Sequence, residues 1–117
     1  MRVKLSTITR IYHPYVDDVW DIDFMDKEDI DIAVRNNFFN SEKFNPNVGT
    51  WTKQEHVARI AYMIKFGWGG LITLDLDEDY PIIDGHHRIA AAVWLGFDYI
   101  EVKCNGTEKD IEQWVEK

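Results

Sequence analysis

Hydrophobic positions recur along this chain with two periods and sort it into eight elements. Arg2 to Ile8 alternates Val3, Leu5 and Thr7 with Lys4 and Ser6, the two-residue period of a half-buried opening strand. Residues 9 to 25 hold Tyr12, Tyr15, Trp20 and Phe24 with neither period and read as a loop. Asp26 can cap a helix that carries Ile30, Ala33, Val34 and Phe38 at helical spacing and fades at Asn36 and Asn37. The Asn, Pro and Gly content of Asn40 to Thr50 then predicts a long loop. Thr52 and Glu55 form a T-x-x-E capping box. Val57, Ile60, Ala61 and Ile64 follow at i, i+3, i+4 and i+7 before Gly67, so residues 53–66 are predicted as an amphipathic helix.

Leu71 to Leu74 and Tyr80 to Ile83 are short apolar runs, predicted as strands joined by the acidic turn Asp75 to Asp79. An alanine-rich helix, Ile89 to Leu95, stops at Gly96, and Tyr99 to Cys104 alternates Ile100, Val102 and Cys104 as a strand. Thr107 and Asp110 cap a last helix with Ile111, Trp114 and Val115 turned inward. The predicted fold class is α+β, a small mixed β-sheet with flanking helices. With 117 residues, 45% of them apolar, the chain suits a single domain over 1–117. Segment 9–50 is then an insertion between the first strand and the core helix.

Charge refines this picture. The chain has 13 Lys plus Arg against 21 Asp plus Glu, a formal net charge of -8. Asp17, Asp18, Asp21, Asp23, Asp26, Glu28, Asp29 and Asp31 are opposed within their segment only by Lys27, so residues 17 to 31 hold seven of those units and the remainder is close to neutral. A general DNA binder needs cations to displace counterions from phosphates, so DNA is not an expected partner. The acidic segment has two accounts: a solvated run that initiates a helix through its dipole, or a negative surface for a basic protein partner, with Trp20, Ile22 and Phe24 interleaved. The single Cys104 excludes an internal disulfide and a multi-cysteine metal site and is compatible with a reducing cytosol. No apolar run is long enough for a membrane span, so the expected location is cytoplasmic.

Chemistry concentrates at Asp84-Gly85-His86-His87-Arg88, a glycine and four polar residues between a buried strand and a helix start. A helix N-terminus offers unpaired N–H groups and partial positive charge, and glycine lets a phosphate approach the backbone. Arg88 can clamp phosphate oxygens, and His86 and His87 can donate to the same anion or move a proton. Asp84 can hold a divalent cation that bridges phosphates, or accept a hydroxyl proton. The plain alternative is a capped turn with Asp84 as cap and the histidines partly exposed. Elsewhere, His56 is expected on the polar face of its helix, with a position facing the phosphate site as the lesser alternative, Asp75 to Asp79 as a solvated turn, and Trp68 and Trp94 as core or rim.

The D-G-H-H-R run, with Ala91, the Leu95-Gly96 pair and the strand Tyr99-Ile100-Glu101-Val102, resembles the ParB/sulfiredoxin superfamily, whose G-x-x-R signature opens a helix and binds nucleotide phosphates. The resemblance covers about residues 52 to 104 and extends to the strand at 2 to 8. Sulfiredoxins have a cysteine nucleophile where this chain has His86. Partition ParB proteins carry Glu and Arg at His86 and His87 and add a helix-turn-helix. The D-G-H-H-R form looks most like the free-serine kinases of the superfamily, which transfer phosphate from a nucleotide to an amino-acid hydroxyl.

That resemblance implies ATP or ADP, or else CTP, with Mg as cofactors, and a small hydroxyl-bearing compound as substrate. It makes Asp84 a catalytic or metal-holding carboxylate, His86 and His87 phosphate or transfer-state ligands, and Gly85 and Arg88 the phosphate cradle. Where those kinases take a glutamate base from the loop after the first strand, this chain has Asp17 and Asp18. The expectation is therefore a nucleotide-phosphate-binding domain acting as a small phosphotransferase or NTP hydrolase. A ParB-like metal-dependent DNA nuclease and a non-catalytic phage or mobile-element protein that binds a host protein are the alternatives.

Overall fold

The computed structural model describes all 117 residues as an α+β fold with one four-stranded mixed sheet. The elements are β1 (Arg2–Lys4), α1 (Leu5–Ile8), α2 (Lys27–Arg35), α3 (Lys53–Phe66), β2 (Ile72–Leu74), β3 (Ile82–Asp84), α4 (His86–Leu95), β4 (Tyr99–Cys104) and α5 (Glu108–Val115). The strand order is β1-β4-β2-β3. β4 pairs antiparallel with β1 through Val3 and Ile100 and parallel with β2 through Ile72 and Val102, while β2 and β3 pair antiparallel through Thr73 and Asp84.

The capping boxes set the helices where the sequence predicts them. Thr52 accepts from Glu55 N and Glu55 accepts from Thr52 N, so α3 covers the predicted span of 53–66. Asp26 and Asp29 do the same for α2, and Thr107 and Asp110 for α5. The opening strand differs: its ladder stops at Lys4 and the chain coils into α1. Lys4 pairs with Tyr99, the first residue of β4, so Leu5 has no ladder partner and its N–H goes to the Asp98 carbonyl at 2.9 Å. Leu5 and Ile8 are buried at i and i+3 within that turn.

α4 is alanine-rich because it is buried on two sides. Ile89 and Ala92 join the sheet core with Val3, Ile72, Ile82 and Val102, while Ala90 and Ala91 join a second core with Ile30, Val57, Ile60 and Ala61 from α2 and α3. Small side chains let both layers close on one helix. The N-terminus of α4 consequently emerges where the sheet, α3 and the loop after α1 meet, and that junction positions the D-G-H-H-R turn.

Candidate functional site

Gly85 is the N-cap of α4 and supplies no side-chain cap. Its φ of 123° falls where side-chain-bearing residues are rarely found, and a Cβ there would lie 2.7 Å from Ile72 Cγ1 and 3.1 Å from Ile72 Cα. The turn is thus pressed against β2, and the first-turn N–H groups of His86, His87 and Arg88 have no protein acceptor. The guanidinium of Arg88 folds back beside Gly70, where an added Cβ would sit 3.3 Å from Nη2. Its Nη1 meets Asp84 Oδ2 at 3.4 Å, while its buried Nε has no partner.

These residues open onto a groove of about 550 Å³ walled by Trp20, by Phe44 and Trp51 from the long loop, and by His56, Arg59 and Met63 of α3. Its charged side chains are Lys43, Arg59 and Arg88 against Asp84 alone. In a chain of net charge -8 this groove is locally basic.

The two motif histidines are each held from outside the motif. His86 Nε2 lies 2.9 Å from the Tyr80 hydroxyl, and His87 Nε2 lies 2.9 Å from His56 Nδ1. The His56 and His87 rings are inclined by 17° with centroids 5.1 Å apart, the separation of two imidazoles joined edge to edge through that nitrogen contact. Trp20 lies nearly parallel over both, at 4.1 Å from His56 and 4.4 Å from His87, and Phe44 and Trp51 approach both rings at steeper angles.

Burial pushes His56 down to about 4 against the opposing pull of Glu55 and Asp18. His86 is likewise pushed down to about 4 by burial, against Asp84. Burial holds His87 well below the usual histidine value, with His56, Arg59, His86 and Arg88 acting in the same direction. All three imidazoles are neutral at pH 7, so the positive charge of the groove comes from Lys43, Arg59 and Arg88. Burial, reinforced by Asp17, raises the Tyr80 hydroxyl to about 12, so it keeps its proton.

Of the residues singled out from sequence, Asp84, Gly85, His86, His87 and Arg88 come together in the groove. Asp17 and Asp18 do not line it. They border a separate small cleft that shares Trp20 with the groove and includes Tyr12, and are tied into the loop's own turns. Asp17 accepts from His13 N, and Asp18 accepts from Trp20 N and Ile22 N. The loop nevertheless folds onto the motif through Trp20, bringing Asp18 within electrostatic range of His56 and Asp17 within range of Tyr80.

His56 is not on a solvated face. It is 1% exposed and lines the motif groove, the lesser of the two expectations for it; sequence reasoning missed Trp20, Tyr80 and Arg59. The signal for His56 was present: with Ile60 and Met63 it forms a buried stripe at i, i+4 and i+7 beside the main apolar face. Trp20 and Tyr80 left no comparable periodic trace.

One carboxylate is available at the groove for a cation. No group of three or more His, Cys, Asp or Glu side chains is placed to hold a metal ion, but Asp84 has a 71% exposed side chain at the rim. A Mg ion that shares its coordination with nucleotide phosphates and water needs only one or two protein carboxylates, so Asp84 fits that role. Comparisons of this chain with protein-family models, curated proteins and solved structures found no match.

Proposed function

We propose that this protein binds a nucleotide in the groove at the N-terminus of α4 and transfers its terminal phosphoryl group to a small hydroxyl-bearing compound. The observation that carries the reading is an uncapped helix N-terminus, pressed close by Gly85, opening into a basic groove of an otherwise acidic chain. Phosphate oxygens would take the free N–H groups of His86, His87 and Arg88 and displace Asp84 from the Arg88 guanidinium, with Arg59 and Lys43 adding charge. Phe44 and Trp51 give the groove an apolar wall beside this cradle. The D-G-H-H-R resemblance to ParB/sulfiredoxin-like kinases supports the same ligand class, ATP or ADP with Mg, Asp84 holding the ion. The ion would neutralise charge on the phosphates.

The test is thermal unfolding with ATP, ADP, CTP and GTP, with and without Mg, on wild type and Arg88→Ala. A nucleotide at 100 times its dissociation constant stabilises by about 2.7 kcal/mol. For a chain of this length that raises Tm by about 10 °C, and the rise should be lost in Arg88→Ala. Absence of a shift with every nucleotide refutes the reading.

A further inference from the structure

Phosphoryl transfer to a hydroxyl needs a group to receive the hydroxyl proton, and the carboxylates of Asp17 and Asp18 lie outside the groove. Resting on the function proposed above, we propose that His87 is the general base of the transfer and that His56, behind it, is the residue that ends up holding the proton.

The geometry supplies both halves of this relay. His87 lines the groove, and its Nδ1 has no protein partner, while its Nε2 is 2.9 Å from His56 Nδ1. Each neutral imidazole has one N–H and one lone pair, so one ring donates across the contact and the other accepts. The surrounding charges choose the direction. Arg59 of α3 and Arg88 of α4 disfavour a positive charge on His87. Glu55 of α3 and Asp18 of the loop favour a positive charge on His56. The relay accordingly takes the tautomers in which His87 Nε2–H donates to His56 Nδ1 and His87 Nδ1 is left to accept.

In the transfer, the hydroxyl oxygen forms a bond to the terminal phosphorus as the bond from that phosphorus to the bridging oxygen of the nucleotide breaks. The electron pair leaves on the nucleotide. The hydroxyl proton goes to His87 Nδ1, and the proton on His87 Nε2 passes to His56 Nδ1. His87 returns to neutrality and His56 becomes imidazolium. The positive charge thus moves from the end of the pair that faces arginines to the end that faces carboxylates. Trp20, stacked over both rings, keeps them in line and excludes water from the contact.

His56→Gln separates proton holding from structure, because the Gln amide oxygen can accept from His87 Nε2 but cannot take its proton. With ATP and free L-serine as the probe hydroxyl, the variant should lose about 10²-fold or more in kcat. Its nucleotide-induced thermal shift should match that of the wild type. A wild-type kcat in His56→Gln overturns the relay while leaving nucleotide binding intact; absence of any nucleotide-induced shift in the wild type overturns the parent function and the relay with it.

Imidazole nitrogen NMR of the ligand-free wild type reads the direction independently of activity and of the variant's folding. Unprotonated His87 Nδ1 with protonated His56 Nε2 supports the relay. The reversed pair of tautomers overturns it.

Discussion

Acidification should destabilise this protein well above the pH at which its carboxylates titrate, and buried His56 sets the size of the effect. The folded-state pKa of His56, about 4, lies below its unfolded value of 6.5. The unfolded chain therefore takes up the proton first, and stability must fall as pH drops. The contribution is intact above pH 6.5, declines through the window from 6.5 to 4, and is constant below it. A separation of this size corresponds to about 3 kcal/mol over the whole window, with about 2 kcal/mol of it gone by pH 5. His86 and His87 titrate in the same direction.

Against a typical domain stability of roughly 5–15 kcal/mol, that is a large fraction. The carboxylates Asp29, Asp31 and Asp110 are held below the usual range, so their losses fall in a separate window below about pH 4. Net charge works the other way, since acidification from -8 relieves self-repulsion. Urea unfolding at pH 7.0, 6.0 and 5.0 is the assay. With an m-value of about 1.5 kcal/mol/M, the midpoint should fall by more than 1 M between pH 7 and 5 at constant m, and by less in His56→Gln. A flat midpoint across that interval refutes the burial argument.

Two substitutions probe the supports of the site. Gly85→Ala places a methyl against Ile72 backbone and side chain at a φ of 123°, and should cost about 2–4 kcal/mol in urea unfolding and abolish the nucleotide-induced shift. Unchanged stability would show that the turn is not pressed onto β2. Trp20→Ala uncovers the imidazole pair, and an NMR titration should find His56 moving from about 4 back towards 6.5; an unmoved His56 would mean that other walls bury it.

The elements legible in the sequence are those whose signal is local. The Thr52–Glu55 box and the period of Val57, Ile60 and Ala61 are local, and α3 occupies its predicted span. The D-G-H-H-R turn is also local, with a strand before it and a helix after it, although β3 runs on to Asp84 and α4 begins at His86, three residues ahead of the predicted Ile89. The predicted Arg2 to Ile8 strand extends only to Lys4, because Leu5 belongs both to the two-residue alternation of Val3, Leu5 and Thr7 and to the helical pair Leu5 and Ile8. What stops the strand is where β4 begins, nearly a hundred residues later. The partners of the motif histidines were invisible for the same reason. His56 is 31 residues from His87, and Trp20 belongs to a loop with no periodic pattern, so their approach depends on how α3 and that loop pack on α4.

The acidic segment shows how far a count of charge is from a reading of it. Its net -7 suggests a surface for a basic partner, yet many of its carboxylates have work within the fold. Asp26 and Asp29 cap α2, Asp29 also pairs with Lys53 of α3, and Asp31 accepts the Trp94 indole N–H of α4 at 2.7 Å. Asp18 binds two backbone N–H groups, among them that of Trp20, and so shapes the loop that sets the indole over His56 and His87. Its negative charge then falls on the His56 end of the pair, opposite the arginines. A residue placed outside the groove by its backbone duties still biases the groove through the field it leaves behind. The acidity of the segment and the basic lining of the groove are therefore two ends of one polarised arrangement, with the imidazole pair between them.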